Sequence, residues 1–237
     1  MSNPITRNIP NTLTCCNLLS GCVAVTYAFT GENLMALAFI LLGAFFDFFD
    51  GMSARLLHVS SPIGKELDSL ADCVTFGVAP ATMVFTLLFQ IPYPESLDVV
   101  RPLIPYAAFL IAAFSALRLA KFNLDERQTT SFLGLPTPAN AMFWSSLIVG
   151  AGTRLTHSTY SLALLAVMIL LSCWVLVSEI PMFALKFKQW GWKGNEIRYL
   201  FVLSCIPILL IFKFSGIAII IIWYVLLSLY AMSRKKQ

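Results

Sequence analysis

The sequence predicts an all-α membrane protein, a polytopic helical bundle of about eight transmembrane helices with both termini cytoplasmic. Three observations carry that expectation. Of the 237 residues, 58% are apolar and only 12% are charged, too little charge for a water-soluble domain of this size. The apolar residues gather in runs near the ~20 residues that a bilayer crossing needs. All but three of the 16 basic residues, the exceptions being Arg101, Arg154 and Lys213, fall on one side of the resulting topology, which marks that side as cytoplasmic.

The first span, residues 12 to 30, lacks a strongly basic leader and a small-residue cleavage site and is followed at once by another span. It reads as a retained helix and not as a signal peptide. The second, 33 to 57, carries two aspartates toward its inner end, and the third, 63 to 90, carries two more after a reversal near His58 to Pro62. The fourth, 103 to 121, ends in Arg118 and Lys121. The fifth, 137 to 152, follows Gly134 and Pro136, which with Pro138 break the preceding chain. The sixth is set at 159 to 185, ahead of a basic stretch in which Trp190 and Trp192 fit interfacial anchors. Residues 199 to 232 divide into spans at 199 to 213 and 216 to 232, because Pro207 and the break Lys213, Phe214, Ser215, Gly216 interrupt the run. The whole chain, 1 to 237, is expected to be one domain with these last two spans peripheral.

Composition also excludes function classes. The six cysteines show no CxxC pairing and lie in apolar runs, so they read as small buried hydrophobes, neither disulfides nor zinc ligands. His58, a solvated loop residue, and His157 have no metal-ligand neighbour at useful spacing, which argues against soft-metal chemistry. The net charge of +4 fits topology and attraction to anionic membrane lipids. No basic patch interleaved with aromatics points to nucleic acid.

Between Asp47 and Asp72 the chain reads DFFDGMSARLLHVSSPIGKELDSLAD. Carboxylates at membrane depth are costly and mark functional sites. At 100° per residue Asp47, Asp50, Gly51 and Ala54 fall at about 0°, 300°, 40° and 340°, with Arg55 at about 80° on the edge of the same stripe. After the reversal Gly64, Asp68 and Asp72 recur every fourth residue, so they too share a face. The two stripes can meet across a helical hairpin. Four carboxylates carry about four negative charges, which two Mg²⁺ or Mn²⁺ ions would neutralise through the hard oxygen ligands those metals prefer. Such a pair stabilises attacking and leaving oxygens in displacement at phosphorus. Gly51, Ala54 and Gly64 leave room for a bulky ligand beside the backbone, and Arg55 is a fitting phosphate donor.

The spacing Asp47, Asp50, Gly51, Ala54, Arg55, Gly64, Asp68, Asp72 resembles the signature of the CDP-alcohol phosphotransferase family at every fixed position. The resemblance implies a membrane-embedded enzyme that moves a phosphate-containing group from a CDP-linked donor to an alcohol and releases CMP. It implies metal-ligand roles for Asp47, Asp50 and Asp68, a role for Asp72 as ligand and general base, and a cytidine diphosphate cradle from Gly51, Ala54, Arg55 and Gly64, with Asp50 and Asp68 at its edge. It also implies a homodimer.

Further segments, IPNTLTCCNLLSG at 9 to 21, KELDSLADCVTFGVAPA at 65 to 81, ALRLAKFN at 116 to 123, GLPTPANA at 134 to 141 and, more weakly, VSEIPMFALKFK at 177 to 188, resemble the branch that takes CDP-diacylglycerol as donor and L-serine as acceptor. By that resemblance Asn11, Thr14 and Asn17 touch the nucleotide, and Arg118, Lys121, Asn123 and Thr137 form the serine pocket. Each has an ordinary alternative. Asn11 can cap the first helix, Thr14 and Asn17 can bond neighbouring helices, Arg118 and Lys121 can be flanking charges, and Glu179 can pair or snorkel. Other acceptors, such as glycerol 3-phosphate, inositol phosphate or an amino alcohol, fit the same signature, since charge counting does not separate a carboxylate from a phosphate. A cation or proton-coupled transporter would predict related halves, whereas the chain has one acidic cluster. The active site is expected at the cytoplasmic face of the cell's inner membrane.

Overall fold

The computed structural model describes residues 4–59, 61–125, 132–157, 160–183, 191 and 195–235. Trp190, Trp192 and the basic residues Arg127, Lys186, Lys188, Lys193 and Lys236 lie outside them, as does the end of the 177 to 188 segment. The described residues form eight helices: α1 (Pro4–Thr30), α2 (Asn33–Leu56), α3 (Pro62–Gln90), α4 (Ile104–Leu124), α5 (Thr137–Thr156), α6 (Ser161–Val177), α7 (Glu196–Phe212) and α8 (Phe214–Lys235). Five of them, α1 to α4 and α8, are long and apolar enough to cross a membrane, and α6 is a shorter apolar helix.

Local chemistry sets the boundaries nearest the aspartates. α2 ends as His58 turns to φ +53°, and α3 starts with Ser61 as N-cap, its Oγ accepting from the Gly64 N–H at 2.9 Å, and Pro62 in the first turn. Immediately after Asp72, α3 widens into a π-helical stretch, Cys73–Val78, of a kind that recurs at functional sites. That stretch lies hard against α1: a Cβ added to Gly21 would come within 2.9 Å of the Thr75 backbone N. On the side away from the aspartates, Arg101 lies over the Tyr93 ring at 5.3 Å and the phenol donates to the Leu88 carbonyl at 2.8 Å. Burial pushes the Tyr93 phenol above its usual value, with Arg101 pulling the other way.

α1 packs along α2 and against α3, and α3, α4, α5 and α6 close a core in which Phe76, Met83, Leu88, Trp144 and Leu165 are fully buried. α8 packs along α5, burying Ala218 and Ser228, whereas α7 lies outside with Phe201 as its one buried side chain.

Three expectations change. The sixth helix does not run to residue 185 but stops at Val177, because β1 (Phe132–Leu133) and β2 (Pro181–Met182) pair antiparallel there. The break between α7 and α8 is one residue, Lys213 at φ +50°, while Pro207 stays inside α7. Gly216 serves packing instead, since a Cβ there would sit 2.9 Å from the Ile208 carbonyl oxygen. The cysteines are free thiols, but Cys15 and Cys22 are exposed on the apolar surface and only Cys173 is buried.

Gly134 connects this strand pair to α5. It sits at φ +72°, and a Cβ would meet the Leu176 carbonyl at 2.6 Å and that of Ser178 at 2.9 Å. Gly134→Ala should therefore destabilise the protein by about 1–3 kcal/mol through backbone strain and overpacking. The check is thermal unfolding in detergent, where an unchanged midpoint would contradict the assignment.

Candidate active site

The N-terminal half of α1, the C-terminal half of α2 and the N-terminal half of α3 bring the two acidic stripes together. Asp47, Asp50 and Asp68 each present a carboxylate oxygen within 4.8 Å of the others. Asp50 is buried and held by the Thr14 hydroxyl, 2.6 Å from its Oδ2. That hydroxyl also lies 3.0 Å from the Pro10 carbonyl, the acceptor its own helix offers. Asp68 Oδ1 is buried with no hydrogen-bond partner. Asp72 lies outside the three-acid group yet close enough to interact electrostatically with Asp47 and Asp68. Its Oδ1 accepts from Asn17 Nδ2 at 3.0 Å, and the Asn17 carbonyl in turn accepts from the Thr75 hydroxyl at 3.0 Å. The π stretch thus orients the residue that orients Asp72.

Like charges this close need cations, and nothing but hard oxygen donors converges here. A buried, partnerless Asp68 oxygen among them fits a divalent cation of the Mg²⁺ or Mn²⁺ type.

A cavity of about 210 Å³ opens over the cluster, lined by Asn11, Thr14, Asp50, Gly51, Ala54, Gly64 and Asp68 together with Pro10, Val59, Ser61 and Lys65. At Gly51 an added Cβ would meet nothing within 4 Å, so the wall is open, while at Gly64 it would come 3.0 Å from Asn11 Oδ1. Arg55 does not line this cavity. Its Nε donates to the Gly51 carbonyl at 3.0 Å, and the side chain borders an adjoining open recess with His58. Asn17 is tied to Asp72 and is also absent from the lining.

The other predicted cluster separates into two parts. Arg118 is buried: Nη1 donates to the Thr137 hydroxyl at 3.1 Å, the guanidinium lies over the Phe122 ring at 5.1 Å, and Nε has no partner. Its charge is within reach of Asp72. Arg118 and Lys121 line a second cavity of about 360 Å³ with Ser178 and Glu179. Asn123 instead donates to Ser69 at 2.8 Å, and its carbonyl accepts from Lys65 Nζ at 2.9 Å, which ties α4 to α3. Lys65, Ser61 and Thr75 are site residues that sequence reasoning passed over. Lys65 was countable only as a flanking charge, although its place beside Gly64 was a signal.

A carboxylate cluster beneath a cavity in an apolar helical bundle has the make-up of a membrane-embedded site able to hold a divalent cation. The CDP-alcohol phosphatidyltransferase family model matches residues 7–177, and the chain belongs to that family. Similar proteins include the CDP-diacylglycerol–serine O-phosphatidyltransferase of Bacillus subtilis, 37% identical over 135 residues covering 56% of this chain and 71% of that protein. The Mycobacterium leprae protein of the same name is 31% identical over 186 residues, 73% of this chain and 57% of its own length. That of Saccharomyces cerevisiae is 44% identical over 109 residues, 42% of this chain and 36% of its own.

Proposed function

We propose that this chain transfers the phosphatidyl group of CDP-diacylglycerol to the hydroxyl of L-serine, giving phosphatidylserine and CMP, at a site open to the cytoplasm. The observation that carries this is the convergence of the Asp47, Asp50 and Asp68 carboxylates at a cavity that Asp50 and Asp68 line, with Asp72 in electrostatic reach of both that cluster and Arg118. The shared name of the relatives supports serine as acceptor.

Asn11, Thr14, Gly51, Ala54 and Gly64 shape the cavity for the cytidine diphosphate, and Lys65 supplies positive charge at its wall. Arg55, at the neighbouring mouth, reaches the diphosphate from outside. Two Mg²⁺ or Mn²⁺ ions held by Asp47, Asp50, Asp68 and Asp72 would neutralise charge on the diphosphate and on the CMP phosphate that leaves. Asp72, fixed by Asn17, takes the proton of the serine hydroxyl as that oxygen attacks the phosphorus bearing diacylglycerol. A new P–O bond forms, the bond to the CMP oxygen breaks, and CMP leaves with that electron pair. This is a single displacement and needs no covalent enzyme intermediate. Arg118 and Lys121 receive the serine carboxylate, with Thr137 holding Arg118 in place.

The direct test offers serine, glycerol 3-phosphate, inositol and inositol phosphate separately to purified protein with CDP-diacylglycerol and Mg²⁺ or Mn²⁺. CMP should appear with serine alone, and turnover with another acceptor instead would overturn the serine assignment. Arg118→Lys removes the planar fork while keeping the charge, and should raise KM for serine about tenfold or more with KM for the lipid donor nearly unchanged. An unaltered serine KM would remove Arg118 from the acceptor site.

A further inference from the structure

A third cavity, of about 520 Å³, lies between α5, α6 and α8, apart from both polar cavities. Its walls are apolar, among them Phe143, Met168 and Val225, and its rim residues Leu164, Leu171, Ile222 and Leu226 are exposed on the bundle surface. It is therefore a slot open sideways to the bilayer. Two polar side chains line it, Ser172 and Asn140. Ser172 is occupied, donating to the Ile169 carbonyl at 3.0 Å and accepting from Trp144 Nε1 at 3.2 Å. Asn140 is different. It is fully buried, and neither Nδ2 nor Oδ1 has a hydrogen-bond partner. A buried amide left with both ends unmade is rare and asks for a ligand.

We infer that this slot binds one acyl chain of a bilayer glycerophospholipid, with Asn140 Nδ2 donating to the ester carbonyl at the head of that chain. Length supports this occupant. From Leu164 to Val175 the α6 wall is twelve residues long, about 16 Å of helix. One leaflet's share of the ~30 Å hydrocarbon core is about 15 Å, so a single chain fills the slot from end to end. Orientation supports it too. Asn140 is one turn into α5, whose first residue Thr137 meets Arg118 near the end of α4, and Asn123 at that same end bonds Ser69 of α3, so the ester lies toward the leaflet that the aspartates face. Apolar walls alone would accept any alkyl chain. The unpartnered amide at one end selects a chain carrying a carbonyl there.

The inference is independent of the phosphatidyl-transfer reaction. Its test is photolabelling of the full-length protein in nanodiscs with a phosphatidylcholine carrying a diazirine on its acyl chain, followed by peptide mapping. Label should appear on α5, α6 and α8 around the slot. Leu171→Trp and Leu226→Trp fill the slot from opposite walls, and each should lower slot labelling at least tenfold while labelling elsewhere on the apolar surface persists. Two variants guard against one failing to fold. Asn140→Leu should lower it about fivefold, the effect of one ordinary hydrogen bond. Slot labelling unchanged in both filled variants would overturn the inference, as would label spread evenly over the bundle.

Discussion

Asp72→Asn should lower CMP release by about 10²–10⁴-fold, the range that general-base catalysis supplies. The substitution keeps the shape of the side chain and removes its ability to take a proton. Asn17 donates to Asp72 Oδ1, and the amide introduced by the substitution can turn its oxygen to the same donor, so the link to α1 and the π stretch survives. Folding and lipid binding should therefore stay near wild type while kcat collapses. Steady-state CMP release at saturating serine, CDP-diacylglycerol and metal checks it. Retention of wild-type kcat would exclude Asp72 as the base.

Asp68→Ala should separate two effects that a metal-free cluster could not. Without divalent cation, removing one of several crowded carboxylates relieves repulsion, so the melting temperature should rise or hold. With cation, the wild-type protein should gain stability as RT ln(1 + [M]/Kd), and the variant should lose most of that gain. Loss of a direct ligand should weaken apparent metal affinity by at least the ~10–100-fold typical of outer-shell changes, and activity should fall with it. Thermal unfolding across a Mg²⁺ or Mn²⁺ titration reads both. Equal metal stabilisation in the two proteins would contradict the assignment of Asp68 as a ligand.

The acidic stripe was legible because its information is periodic. Helical spacing placed Asp47 with Asp50, and Gly64 with Asp68, and charge alone pointed to cations as their partners. What spacing does not encode is contact between distant segments. Asn17 reaches Asp72 and Asn123 reaches Ser69 through tertiary packing, contacts that no spacing rule foretells. Arg55 shared the stripe by angle, yet its hydrogen bond to the Gly51 carbonyl directs it to the neighbouring recess. The end of α6 was misjudged because hydrophobicity continues past Val177 while the backbone leaves the helix to pair Pro181–Met182 with Phe132–Leu133. Asn140 carried no signal at all, since an unpartnered amide exists only once its neighbours are in place.

The most direct test of the central claim is product stoichiometry. Purified protein is given CDP-diacylglycerol and isotopically labelled serine with Mg²⁺ or Mn²⁺, and CMP and labelled lipid are counted together. The account predicts one phosphatidylserine per CMP, and neither product once the cation is chelated or serine is withheld. CMP released at the same rate without serine, or with no label entering lipid, would contradict it.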